Sequence, residues 1–301
     1  MEEKHLTRAI LIGADTGEYD AESSMDELSE LAKTAGAEEL ARVLQKREAY
    51  EPATVIGEGK LAEVKELCGS LGAELLIFDC ELTASQIRNV EDETDVRVID
   101  RTMLILDIFA GRAVSREGKL QVELAQLKYR LPRLMGIGAS LSRLGGGIGT
   151  RGPGETQLET DRRHIRRRID KLSAELKELE ERRSYARDRR KKDSVQVGAI
   201  VGYTNAGKST LLNLLTGADV LAEDKLFATL DPTSRAIELP DGRSLLLVDT
   251  VGLIRRLPHH LVEAFKSTLE EAACADIIIH VCDVSDQEAA EKADVTLKTL
   301  S

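Results

Sequence analysis

The sequence of 301 residues predicts an α/β protein in three parts. These are a small N-terminal domain with a parallel sheet, an antiparallel two-helix coiled-coil hairpin, and an incomplete nucleotide domain. Three observations support this prediction: strand and helix patterns alternate through the first hundred residues, two heptad repeats follow, and a glycine-rich motif then separates a strand from a helix. We place the parts at residues 1–112, 113–192 and 193–301.

The N-terminal domain is predicted from short apolar runs that alternate with helical patterns. No glycine fingerprint of a dinucleotide site appears in it. Gly57-Glu58-Gly59-Lys60 is too short for a phosphate loop and is better explained as a helix-capping turn. Strands are predicted over 9–13, 75–79 and 96–100, and helices over 24–35 and 83–92.

Two heptad repeats predict the hairpin, because their apolar residues are spaced by three and four positions, as in a coiled-coil seam. Pro132 is expected to kink the first helix or to lie near its end. The connector, 136–157, is rich in glycine, which lets a backbone approach a partner closely. A solvated loop with no partner is the alternative. The seam residues are Leu120, Leu124, Leu127, Leu131 and Leu134, followed by Ile165, Ile169, Leu172, Leu176 and Leu179.

Charge is distributed unevenly along the chain. Residues 161–192 hold fourteen Arg and Lys against seven Asp and Glu, whereas the whole chain has a net charge of −11. Such a basic element favours contact with nucleic-acid phosphates, although a solvated helix face with internal ion pairs is the alternative. The predicted RNA or ribosome contacts are Arg143, Gly145, Gly146, Gly147, Arg151, Arg162, Arg163, Arg166 and Arg167.

The motif Gly-x-x-x-x-Gly-Lys-Ser spans 202–209, after an apolar run and before a predicted helix. Its glycines let backbone N–H groups surround phosphate oxygens, and the helix N-terminus adds its positive dipole end. Lys208 is expected to reach the β- and γ-phosphates and Ser209 to bind Mg²⁺. The predicted nucleotide-binding residues here are Gly202, Tyr203, Thr204, Asn205, Ala206, Gly207, Lys208, Ser209 and Thr210.

A second apolar run ends in Asp-x-x-Gly at 249–252. Between the two motifs lies a polar loop, 227–233, in which Thr229 is the predicted metal-binding threonine and Thr233 the alternative. This order of motifs is typical of a nucleotide hydrolase with a switch. The further nucleotide-binding residues are Phe227, Ala228, Thr229, Asp249, Thr250, Val251 and Gly252; the metal ligands are Ser209, Thr229 and Asp249, and the catalytic residues Lys208 and Thr229.

Composition suggests a cytoplasmic protein. No run approaches the roughly 18 apolar residues of a membrane span, and the N-terminus lacks an apolar signal segment. The four cysteines show no Cys-x-x-Cys spacing and are predicted to be buried free thiols.

Four segments resemble the HflX family of ribosome-associated GTPases: 117–127, 145–156, 202–210 and 257–265. The resemblance covers nearly the whole chain. It implies a P-loop GTPase domain, Mg²⁺, GTP and GDP as substrate and product, and the large ribosomal subunit as partner. It also implies a hairpin tip directed toward the peptidyl-transferase region and a role in separating or rescuing stalled ribosomes.

Two residues bear on the reaction that the resemblance implies. Leu253 follows Gly252 where Ras-like enzymes have a water-orienting Gln, so intrinsic turnover is expected to be slow and a partner or monovalent ion must complete the site. Asn205 occupies the position of a K⁺-binding Asn in some related GTPases, which makes K⁺ activation a hypothesis.

About 105 residues follow Val195, whereas a complete domain of this class needs roughly 160. The guanine-recognising Asn-Lys-x-Asp element is not among them. We therefore expect weak nucleotide affinity and little hydrolysis from this polypeptide, and guanine selectivity is only implied by the resemblance.

Two other functions stay open at this point. One is a non-enzymatic ribosome-binding module that acts as a steric wedge; the other is an N-terminal domain that binds ATP and acts on RNA. The oligomeric state is also open, with a monomer favoured, because the hairpin seam can be satisfied within one chain.

Overall fold

The computed structural model describes residues 6–144, 153–192, 195–217, 225–257, 261 and 266–300. The chain packs as two compact units. The first unit comprises Met1–Ile108 and Gln126–Arg167, and the second comprises Phe109–Ala125 and Arg168–Ser301. This division follows packing rather than chain order, so the predicted three-part boundaries stay a prediction.

The first unit contains a four-stranded parallel sheet with the order β2-β1-β3-β4. This confirms the predicted α/β class and its parallel sheet. Strand β2 was not predicted, because its residues lack an apolar run and only two of the ten are buried. The elements are β1 Thr7–Asp15, α1 Ala21–Thr34, β2 Ala37–Lys46, α2 Glu58–Leu71, β3 Leu75–Phe78, α3 Ala84–Thr94, β4 Arg97–Asp100 and α4 Arg101–Arg112.

Local signals fix the ends of these helices. The Thr83 hydroxyl accepts the Gln86 N–H while the Gln86 side chain accepts the Thr83 N–H, which is a capping box. Gly57 is the N-cap of α2, so the predicted helix-capping turn is confirmed. Gly72 ends that helix with a left-handed φ of 64°. Ile10, Ile12, Leu76, Phe78 and Val98 form the centre of the core and are at most 5% exposed.

Helices α5 (Arg116–Leu144) and α6 (Pro153–Lys192) form the predicted hairpin arms, but the predicted connector, 136–157, was too long. Glycine within a helix costs only about 1 kcal/mol, so Gly136 and Gly138 do not end α5. Proline suits the first position of a helix, where its missing N–H costs nothing, as at Pro153. Pro132 lies inside α5, well before its end, so it does not terminate the helix, while the alternative, a kink, stays a prediction.

Within the second unit the two helices run antiparallel. Glu123 pairs with Arg168 at 2.6 Å and Glu175 pairs with Arg116 at 3.3 Å, so α6 numbers rise as α5 numbers fall. Of the predicted seam residues, Leu124 and Leu172 are buried and the other eight are half-buried. The coiled-coil assignment itself stays a prediction.

The second unit contains a sheet with the order β6-β7-β5-β8, in which only β6 is antiparallel. Because β5 and β7 are parallel neighbours, the loops that follow them lie at the same edge of the sheet. The elements are β5 Gln196–Gly202, α7 Lys208–Thr216, β6 Thr233–Glu238, β7 Ser244–Asp249, α8 Lys266–Ala273, β8 Ile277–Val281 and α9 Ala289–Leu300.

The four cysteines are free, but only Cys68 is buried. Cys80 is half-buried, while Cys274 and Cys282 are exposed. The prediction of buried thiols was therefore wrong for the last two, which follow α8 and β8 rather than lying inside these elements. None of the described helices is both long and apolar enough to cross a bilayer.

Candidate functional site

The phosphate-loop motif forms a turn between the end of β5 and the start of α7. Asn205 and Gly207 have left-handed backbones, with φ of 60° and 87°. A Cβ on Gly207 would meet open space, so its conformation rather than crowding calls for glycine. A Cβ on Gly202 would instead collide with the Val281 carbonyl oxygen of the neighbouring strand.

The loop after β7 packs directly against this turn. Thr204 N–H donates to the Leu253 carbonyl at 2.7 Å, and Leu253 N–H donates to the Gly202 carbonyl at 3.1 Å. A Cβ on Gly252 would lie 2.5 Å from Thr204 Cα, which only glycine avoids. The Leu253 side chain is 4% exposed, so it is part of the core and has no polar group for a water molecule. The two motifs thus form one rigid edge.

Three side-chain oxygens converge beside the loop. Ser209 Oγ donates to Asp249 Oδ2 at 2.6 Å and lies 2.8 Å from Thr229 Oγ1. Asp249 Oδ1 is buried and has no hydrogen-bond partner among the described residues. Burial raises the pKa of Asp249, and the Ser209 hydrogen bond and the Lys208 charge oppose that rise.

This oxygen set fits Mg²⁺. Hard oxygen donors are the ligands it prefers, and two neighbouring octahedral ligands at 2.0–2.1 Å from the ion are roughly 2.9 Å apart. The separation of Ser209 and Thr229 oxygens, 2.8 Å, matches that spacing. Asp249 supplies negative charge, and its Oδ1 accepts no hydrogen bond from the described residues. Thr233, the alternative, begins β6 opposite Asp249 in the strand register.

Lys208 is the buried cation of the site. Its Nζ donates to the Tyr203 carbonyl at 2.7 Å, and its side chain is enclosed by the loop. Burial lowers the pKa of Lys208 to about 8, while the nearby Asp249 opposes that shift. The ammonium group is therefore poorly solvated where it stands, and an added anion would stabilise its charged form.

Most of the predicted nucleotide-binding residues line one cavity. Five of them do not line it, namely Gly202, Tyr203, Ala206, Asp249 and Val251. Of these five, Asp249 accepts a hydrogen bond from Ser209, which does line the cavity. Lys225 lines the cavity as well, and it was not predicted because its loop position has no fixed spacing from either motif. The predicted residues that do line it are Thr204, Asn205, Gly207, Lys208, Ser209, Thr210, Phe227, Ala228, Thr229, Thr250 and Gly252.

The predicted ribosome contacts are only partly described. Gly145, Gly146, Gly147 and Arg151 lie outside the described residues, as does the side chain of Arg143, which belongs to α5. Arg163, Arg166 and Arg167 are exposed on α6, and Arg162 is half-buried there. The exposed guanidinium groups give this part of α6 a positive surface.

Family comparisons cover almost the whole chain. Residues 22–110 match the family described as GTP-binding GTPase N-terminal, 112–190 match GTP-binding GTPase Middle Region, and 197–301 match 50S ribosome-binding GTPase.

Individual proteins agree with these matches. The GTPase HflX of Caldanaerobacter subterraneus subsp. tengcongensis is 60% identical over 294 residues, which are 98% of this chain and 68% of that protein. The GTPase HflX of Lacrimispora saccharolytica is 58% identical over 97% of this chain and 70% of its own length. Among solved structures, the chain resembles a GTP-binding protein from the hyperthermophilic archaeon Sulfolobus solfataricus, crystallised in complex with GDP. The two sequences are 28% identical, and the TM-score is 0.51 over 98% of this chain and 77% of that one. The chain belongs to the HflX family of GTPases.

Proposed function

We propose that this chain is a Mg²⁺-dependent GTPase that binds the large ribosomal subunit and couples GTP binding and hydrolysis to ribosome splitting or rescue. The observation that carries the proposal is the convergence of Ser209, Thr229 and Asp249 beside the buried Lys208. The matched family described as 50S ribosome-binding GTPase supports the partner. A cytoplasmic location and a monomeric state belong to the same proposal.

The residues of the site would act mainly through electrostatics. Lys208 and the loop N–H groups would bind phosphoryl oxygens and stabilise the charge that develops on them. Ser209, Thr229 and Asp249 would hold Mg²⁺, which when bound neutralises charge on the β- and γ-phosphates. Because the Leu253 side chain is buried and apolar, it cannot orient the attacking water, so that role falls to another group. We therefore expect slow turnover without the ribosome.

Ribosome binding is proposed to use the positive surface of α6. Arg163, Arg166 and Arg167 are exposed and close in sequence, so they can contact consecutive phosphates of RNA. Arg143, Gly145, Gly146, Gly147 and Arg151 are proposed as the contacts at the hairpin tip.

The test is GTP turnover by the chain with and without purified large ribosomal subunits, at fixed Mg²⁺. We expect stimulation by the subunit and a loss of roughly 100-fold in the Lys208→Ala variant, because removing one preorganised donor of this kind has about that effect. Lys33→Ala, which changes an exposed lysine of α1, is the control and should behave as wild type.

The same experiment separates the alternative, a ribosome-binding module without enzymatic activity. Binding to subunits with no phosphate release, and no change in Lys208→Ala, would favour that module and reject the GTPase. Calorimetry with GDP tests the expected weak affinity: dissociation constants in the micromolar range or below would contradict it.

A further inference from the structure

One carboxylate joins the loop that carries Thr229 to the first turn of α5. Asp231 Oδ2 accepts the backbone N–H groups of Val114 and Ser115, both at 2.8 Å. Asp231 Oδ1 accepts the Ser115 hydroxyl, and Ser115 Oγ accepts the Gly118 N–H at 2.8 Å. Val114 and Ser115 directly precede α5, whose N-terminus carries the positive end of the helix dipole, so a carboxylate is held well there.

Gly118 makes room for this carboxylate. A Cβ at that position would collide with Asp231 Oδ1 and would lie 3.1 Å from Asp231 Cγ. Glycine is unfavourable in a helix, and its presence in the first turn of α5 is explained by this close approach. Two residue types therefore make the contact possible: the carboxylate of Asp231 in the loop and the absence of a Cβ at Gly118 in the helix.

The other end of the loop is fixed as well. Phe227 has a left-handed backbone with φ of 55°, and its N–H donates to Thr204 Oγ1 of the phosphate loop at 2.8 Å. Its ring is 1% exposed and packs edge to face on Phe109, with ring centres 4.8 Å apart. Phe109 lies in the last turn of α4, the helix that precedes α5.

Thr229 lies midway between these two anchors, two residues from each. Its hydroxyl lies 2.8 Å from Ser209 Oγ. We propose that Asp231 is a positioning residue for Thr229: by binding the start of α5 it holds the loop in the closed conformation in which Thr229 can reach the metal. This inference rests on the proposed function, since Thr229 has a metal to bind only if the site takes a Mg²⁺-nucleotide.

The consequence is a reciprocal coupling between nucleotide and helix. A ligand that favours the closed loop also favours the seated first turn of α5, and a substitution that unseats the turn weakens the binding of that ligand. Ligands that do not need Thr229 should be unaffected.

The first experiment compares two nucleotides in the Asp231→Asn variant, which keeps the shape of the side chain but loses its charge and one acceptor. Affinity for the non-hydrolysable GTP analogue GMPPNP with Mg²⁺ should fall about tenfold, or about 1.4 kcal/mol. Affinity for GDP without Mg²⁺ should stay within twofold of wild type. Glu123→Gln is the matched control, because it removes another half-buried carboxylate, one that pairs with Arg168 of α6. Equal affinities of Asp231→Asn and wild type for GMPPNP would overturn the inference, and so would equal losses for both nucleotides.

The second experiment needs no nucleotide. In Gly118→Ala, the new methyl group displaces the carboxylate although alanine favours the helix. Hydrogen exchange of the amides at 227–231 should accelerate severalfold, and Glu123→Gln should leave it unchanged. Unchanged exchange in Gly118→Ala would refute the coupling. If wild-type protein binds neither nucleotide, the proposed function fails, while this exchange measurement still decides the link between loop and helix.

Discussion

At Gly252, one missing side chain decides how closely two loops approach. A Cβ would lie 2.5 Å from Thr204 Cα, so the loop after β7 could not rest on the phosphate loop. The left-handed backbone of Asn205 on the other side of that loop leaves its side chain exposed at the cavity. Single residues therefore determine how closely the two loops pack and which side chain is exposed at the cavity.

We propose that Asn205 binds K⁺ and that K⁺ activates turnover. An amide oxygen on an exposed, left-handed residue of the loop can bind a monovalent cation next to the phosphates. We expect turnover to be about tenfold faster in KCl than in NaCl, equivalent to about 1.4 kcal/mol in the barrier. The Asn205→Ala variant should lose this difference. Equal rates in the two salts would remove K⁺ from the proposal.

Motif residues were predictable because their spacing is local. The positions 202–210 and 249–252 have fixed intervals and flanking strands, and the structure places most of them around one cavity. Asp231 carried no such signal, because the N–H groups that it accepts lie 116 and 117 residues away. Hydrogen bonds that span such distances depend on the fold, and a single sequence does not reveal them.

At the scale of elements, α5 is fixed to the first unit by a buried polar cluster. Asp100 ends β4, and its carboxylate accepts the Leu82 N–H at 3.0 Å and the Met103 N–H at 2.9 Å. Tyr129 of α5 donates its hydroxyl to the same carboxylate, and Arg133 reaches it at 3.1 Å while lying over the tyrosine ring. Burial, followed by the Asp100 charge, raises the pKa of Tyr129, so the phenol stays protonated as a donor.

We predict that Tyr129→Phe destabilises the first unit. A buried acceptor would lose one donor, which costs about 1–3 kcal/mol. Hydrogen exchange of amides in β4 and α4 should accelerate by the corresponding factor, with nucleotide binding unchanged. Tyr185→Phe is the control, because Tyr185 is 77% exposed on α6. Exchange that is equally slow in both variants would show that the hydroxyl contributes nothing.

The heptad seams predicted only one face of α5. Gln121, Val122, Ala125 and Tyr129 are buried too, although they lie off that seam. A helix that packs on several sides loses a clear period, so its second contact surface is hard to infer. The connector was predicted too long for a related reason: glycine and proline weaken a helix locally, but a long helix with tertiary contacts tolerates them.

At the scale of the whole molecule, charge separation is the main feature. The segment 161–192 carries a net charge of about +7, within a chain of −11. Part of this charge is neutralised inside the second unit, where Arg183, Arg187 and Arg190 pair with Glu270 and Glu271 of α8. The exposed guanidinium groups at 163, 166 and 167 are therefore the better candidates for RNA phosphates.

We predict that replacing both Arg166 and Arg167 with Gln weakens binding to the large subunit and reduces its salt dependence. Each phosphate contact contributes roughly 0.7–0.9 to the slope of log affinity against log salt, so the slope should fall by about 1.5. Sedimentation at several KCl concentrations measures it. The control is Arg243→Gln, because Arg243 is already paired with Asp241 at 2.7 Å. A slope like that of wild type would exclude these two arginines from the interface.

Helix α5 has 29 residues, so at 1.5 Å per residue it is roughly 43 Å long. Asp231 binds the two residues that directly precede this helix, Val114 and Ser115. An acid two residues from Thr229 thus also anchors the base of this long helix, so the phosphate site and the start of the arm share one point of attachment.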